Sequence, residues 1–144
     1  MMTESAIQIT LGQQLLLKNH VFVIPNKCLK YECDLMSFNK SDYLNEFEIK
    51  VTKADFKNEE KHKGKKHKWL TSNRPAKNKP NYFWFACPYN MIQPDEIDPQ
   101  YGLIYVDTDA NTVKIVKRPK LLHKTKQLTE DLMKSLTRAM SFKV

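Results

Sequence analysis

The sequence predicts an α/β protein, a mixed β-sheet flanked by helices, and three observations carry that prediction. Apolar residues recur at helical spacing near both ends of the 144-residue chain. Runs of β-branched and aromatic residues bounded by turn formers fill the stretch between, and a Lys-rich helical segment interrupts them after the third run.

Residues 4–18 set Ile7, Leu11 and Leu15 on one stripe with Leu16 beside them, predicting an amphipathic helix capped by Thr3 or Ser5 and ending near Asn19. "HVFVIPN" reads as a short strand stopped by Pro25, and 31–38 and 43–51 read as strands joined by the turn formers "NKSD" at 39–42, a hairpin. From Thr52 the pattern changes to a Lys- and Glu-rich helix beginning near Ala54, anchored by Phe56, Trp69 and Leu70 and fraying around Gly64. "TSNRPAKNKP" has loop composition, and "NYFWFAC" after it is the most apolar strand, expected at the sheet centre. Three prolines make "PYNMIQPDEIDPQ" an irregular connection. "YGLIYVD" and "TVKIVKR" flank "TDAN" as a second hairpin, and Leu132, Met133, Leu136 and Met140 predict a last helix over 129–142 behind a Thr129 cap.

This length suits one domain over residues 1–144 with a core that needs no staples. No apolar run approaches the roughly 20 residues of a membrane-spanning helix. The first residues lack the basic start and apolar run of a secretory signal, so a cytoplasmic location is expected. Cys28, Cys33 and Cys87 are odd in number and form no CxxC pair, which favours reduced, buried thiols. Joining Cys28 and Cys33 with His62 and His67 as a zinc site fails on spacing.

The net charge of +8 is concentrated in two blocks. Residues 50–80 hold eleven basic groups against three acidic, and residues 114–143 hold nine against two, whereas residues 81–113 carry five acids and no Lys or Arg. Such blocks suit a phosphate backbone, although a solvated basic face would look the same in sequence.

Acidic residues interrupt two of the strands. By period-two alternation Glu32, Asp34 and Met36 share one face, Glu46, Glu48 and Lys50 share another, and the hairpin brings Asp34 near Glu48 and Lys50. Buried carboxylates need compensation, and oxygen ligands select a hard cation, Mg²⁺ or Mn²⁺. The alternative is an ion-pair ladder in which Lys50 neutralises Glu48.

Asp34, then Glu48-Ile49-Lys50 on the next strand, with a helix before and a helix after, resembles the PD-(D/E)XK nuclease superfamily. The run "EIKVTKADF" is similar to its DNA-repair and phage-encoded branches, and the likeness in element order covers residues 4–87. It departs in having Cys33, not Pro, before Asp34. The resemblance implies a restriction-endonuclease-like fold and a Mg²⁺-dependent (or Mn²⁺-dependent) deoxyribonuclease. Asp34, Glu48 and the Ile49 carbonyl would hold the metal, Lys50 would orient water or stabilise transition-state charge, and Glu4 would face the site from the first helix. Lys53, Lys57, Lys61, Lys65, Lys68 and Arg74 would grip flanking DNA phosphates. Nucleases of this size often act as homodimers, but no interface is marked in the sequence.

Other residues read more plainly. His62 and His67, in a Lys-rich run, are expected to be solvated, and Trp84 and Phe85 belong in the core rather than against bases. Trp69 suits a helix anchor or a stacking platform equally. Asp95, Glu96 and Asp98 sit in a Pro-rich loop with no evident partner.

Overall fold

A computed structural model of the chain describes residues 2–18, 20–25, 31–72, 74, 78–126 and 134, without the side chains of Val21, Phe22, Ile24 and Glu60. Its elements run α1 (Glu4–Leu17), β1 (His20–Pro25), β2 (Leu35–Asn39), β3 (Leu44–Ile49), α2 (Lys53–Thr71), β4 (Tyr82–Pro88), β5 (Gly102–Asp107) and β6 (Thr112–Lys117). The strands form one mixed sheet in the order β1-β2-β3-β4-β5-β6. β3, β4 and β5 are mutually parallel, and the remaining pairs are antiparallel. The expected helix over 129–142 and Cys28 lie outside the described residues, apart from Lys134.

The parallel step from β3 to β4 requires a crossover, and α2 supplies it. Both hairpins close through residues with positive φ, Asp42 at 64° and Asn111 at 52°, a conformation that Asp and Asn tolerate. In the first, the Asp42 amide donates to the Asn39 carbonyl at 3.0 Å.

The two faces of the sheet are covered separately. Ile7, Leu11 and Leu15 of α1 pack on Leu35, Phe47, Ile49, Trp84, Ala86, Ile104 and Val106. Phe56, Trp69 and Leu70 of α2 meet Phe83, Phe85, Cys87, Leu103 and Tyr105 on the opposite face. β4 is thus buried on both sides, as its composition predicts. Trp84 is a core residue, its Nε1 donating to Asn45 Oδ1 at 3.0 Å. A Cβ at Gly102 would meet the Trp84 ring at 2.6 Å, so glycine is what lets the indole lie flat there.

Local expectations are settled or corrected in four places. Thr3 rather than Ser5 caps α1, accepting from the Ala6 amide at 3.1 Å. Leu16 is 56% exposed because it falls off the Ile7–Leu11–Leu15 stripe. β2 begins at Leu35, so Glu32 and Asp34 precede the strand. α2 does not fray at Gly64 but continues to Thr71 through a break at Lys63, where φ and ψ are −125° and 28°.

Candidate active site

Phe47 and Ile49 point toward α1, so the alternation of β3 turns Glu46 and Glu48 toward α2. Both carboxylates are buried there, and α2 answers them with charge. Lys66 Nζ lies 2.5 Å from Glu46 Oε1, and the Lys63 ammonium contacts Glu48 Oε1. The Lys66 ammonium also donates to the Glu32 carbonyl at 3.1 Å.

Lys50 does not chiefly neutralise Glu48. Its Nζ is 3.5 Å from Glu48 Oε1 but 2.6 Å from Oε1 of Glu59, a buried α2 residue. Glu59 also contacts His67 Nε2 at 2.8 Å, and His67 Nδ1 lies 2.7 Å from the Tyr101 hydroxyl. Burial alone would raise the Glu59 pKa. Hydrogen bonds from His67 and Lys50 and the charges of Lys50 and Lys63 outweigh it and hold the carboxyl at about 2. His67 is therefore not solvated as its Lys-rich surroundings suggest: it stacks among Phe83, Phe85 and Tyr101.

Asp34 is fixed by the β2–β3 pairing. The register Leu35↔Phe47 sets it opposite Glu48, and its Oδ2 accepts from the Ile49 amide at 2.8 Å. Gln8 of α1 donates to its main-chain carbonyl at 2.7 Å. Burial and the Glu48 charge, with a contribution from Glu4, push the Asp34 carboxyl up to about 8 even though the Ile49 hydrogen bond opposes them.

Glu4, Asp34, Glu48, Ile49 and Lys50 line one cavity of about 330 Å³, together with Asp55, Asn58, Glu59, His62 and Lys63. The sequence reading missed Asp55, Asn58, Glu59 and Lys63. For Glu59 and Lys63 the signal was present: Phe56, Glu59, Lys63, Lys66 and Leu70 follow the three-four spacing of one helix face, so these charges share the buried stripe with the apolar anchors.

The basic residues divide. Lys61, Lys65 and Lys68 are exposed and, with Lys63, Lys66, Tyr31 and Glu32, line a groove of about 640 Å³ that shares His62 and Lys63 with the acidic cavity. Lys57 and Arg74 are exposed outside that groove. Lys53 is not free for phosphate, because its ammonium pairs with Glu96 and donates to the Met91 carbonyl. Glu96 accordingly has a partner, and the Asp98 carbonyl accepts from Lys117 at 3.0 Å, correcting the expectation for that loop. Trp69 is a helix anchor, its ring 5.4 Å from Tyr31.

Among the described residues, no group of three or more His, Cys, Asp or Glu side chains is gathered in metal-ligating geometry. The donor chemistry nevertheless fits a hard cation. Five carboxylates face two ammonium groups around the cavity, and Glu48 Oε2 is buried without a hydrogen-bond partner. The zinc combination finds no support: Cys33 Sγ donates to the Leu35 carbonyl at 3.2 Å, and both nitrogens of His67 are engaged by Glu59 and Tyr101. Among the described residues no helix is long and apolar enough to cross a membrane.

No protein-family model matches the chain, and no curated protein matches it in sequence. Among solved structures, it is similar to a protein of unknown function from Silicibacter pomeroyi, with a TM-score of 0.66 and 16% identity over 99% of this chain and 86% of that one. At that identity the likeness establishes the shared α/β fold alone.

Proposed function

We propose that the protein is a Mg²⁺-dependent (or Mn²⁺-dependent) deoxyribonuclease of the PD-(D/E)XK type, acting in DNA repair, recombination or phage DNA processing. The observation that carries this reading is the convergence of Glu4, Asp34, Glu48, Ile49 and Lys50 on one cavity that shares a wall with a five-lysine groove. Asp34, Glu48 and the Ile49 carbonyl would hold the cation, which when bound polarises the scissile phosphate and acidifies water. Glu59 holds the Lys50 ammonium at the cavity wall, where it can orient water or stabilise charge on the phosphate. Lys61, Lys65 and Lys68 would carry the flanking phosphates past the cavity. The buried thiols of Cys33 and Cys87 accord with a reducing, cytoplasmic setting.

End-labelled duplex, single-stranded and branched DNA, incubated with Mg²⁺, Mn²⁺ or EDTA, test this. Cation-dependent cleavage of at least one substrate is expected. The pairing of Lys63 with Glu48 and of Lys66 with Glu46 favours a second reading, a nucleic-acid-binding protein whose carboxylates are neutralised by lysines and perform no chemistry. Salt-dependent DNA binding without cleavage of any substrate would select it.

A further inference from the structure

Lys63 joins the two surfaces around α2. Its ammonium contacts Glu48 Oε1 and lies 3.7 Å from Glu59 Oε1, yet the residue also lines the basic groove. The two carboxylates are 2% and 3% exposed and fixed in the core, whereas the Lys63 side chain is 38% exposed. Of these three groups only the lysine can leave.

The backbone is irregular at this residue. Lys63 departs from helical dihedrals inside α2, so the helix is kinked at the residue whose side chain bridges the two surfaces. Gly64, a poor helix former, follows it, and a Cβ there would meet nothing within 4 Å, so packing gives no reason for glycine. The ammonium satisfies one oxygen of Glu48 and leaves Oε2 buried without a partner. A monovalent group thus occupies part of a cavity lined by five carboxylates.

We propose that Lys63 is a built-in competitor for the divalent cation: it holds Glu48 in the cation-free protein and is released into the basic groove, toward the DNA phosphates, when the cation binds. The proposal rests on the reading of this cavity as a cation site. It makes phosphate gripping conditional on loading, since the cation frees the lysine nearest the scissile position.

Calorimetric titration of Mn²⁺ into DNA-free wild type, Lys63→Met and Glu48→Gln tests it. Lys63→Met is expected to bind Mn²⁺ about tenfold tighter or more, the scale of one charge-assisted contact, while Glu48→Gln loses binding. Equal or weaker binding by Lys63→Met, with Glu48→Gln still inactive in binding, overturns the competition and leaves the nuclease reading standing. Binding retained in Glu48→Gln, or none in wild type and Lys63→Met, overturns both. If Lys63→Met does not fold, Lys63→Gln takes its place. Acetylation of wild-type lysines, read by mass spectrometry, gives a second measurement. Saturating Mn²⁺ should raise labelling of Lys63 several-fold, and unchanged or reduced labelling overturns the release.

Discussion

Lys66 Nζ lies 2.5 Å from Glu46 Oε1 with both side chains buried, 2% and 8% exposed. Burial pushes the Glu46 pKa up, and the Lys66 charge works against that shift. Removing one partner of a buried pair strands the other. Lys66→Met should therefore lose about 3–5 kcal/mol of stability in urea denaturation above neutral pH, less in acid where Glu46 takes a proton. The double variant Glu46→Leu/Lys66→Met should recover most of the loss. A double variant as unstable as the single one would show that Lys66 acts through something other than this pair.

The pH dependence of stability should have two limbs of opposite sign. Asp34 rises from 3.8 to about 8 on folding, so the cation-free folded state binds the extra proton and stability falls as pH rises between those values. Glu59 falls from 4.5 to about 2, so its contribution is present above 4.5 and is lost as pH drops through that window. Asp34→Asn should flatten the upper limb and be more stable than wild type at pH 8 by about 1 kcal/mol or more, while Glu59→Gln should flatten the acid limb. Melting temperatures measured across pH for the three proteins check both signs.

Chemistry should separate from binding at Glu48. Glu48→Gln keeps size and strand packing but removes the charge a divalent cation requires, so cleavage should fall by orders of magnitude while DNA binding survives. Lys50→Met should lose turnover yet keep cation affinity, because it preserves the stem and removes only the ammonium. Single-turnover cleavage beside filter binding distinguishes these outcomes. Wild-type rates in Glu48→Gln would exclude this cavity as the catalyst.

The salt dependence of DNA affinity should map the groove. Each lysine that neutralises a phosphate contributes about 0.9 to the slope of log affinity against log salt on duplex DNA. Replacing Lys61, Lys65 and Lys68 by Ala should flatten the slope by about 2–3 in total, and adding Lys57→Ala should flatten it further only if DNA passes beyond the groove. Lys53→Ala should change it little, because Lys53 is committed to Glu96. A slope insensitive to the groove lysines would move the DNA surface to residues 114–126, within the second basic block.

Much of the cavity's geometry was legible because one regular period and one turn converge on it. Alternation in β3 turns Glu46 and Glu48 away from Phe47 and Ile49, and the turn at 39–42 sets the register that brings Asp34 opposite Glu48. Where the period lapsed, the local chemistry still held: Asp34 precedes β2, yet the Ile49 amide holds it in place. The partners of these charges were not legible. In the Lys-rich run His67 read as solvated and Lys53 as a phosphate contact, and only packing commits them to Glu59, Tyr101 and Glu96.

The sequence by itself determined the mixed α/β plan, the two hairpins, the apolar centre at β4 and the presence of carboxylates within strands, since each follows from local period and turn chemistry. Only the tertiary structure decided that the buried charges of β3 are answered by Lys63, Lys66 and Glu59 of α2 and that the acidic cavity opens beside the basic groove. Composition gives the number of charges in a helix, but which of them are buried depends on how the crossover helix is rotated against the sheet. That rotation is set by long-range packing of Phe56 and Leu70 on Phe83 and Phe85, contacts between residues far apart in the chain.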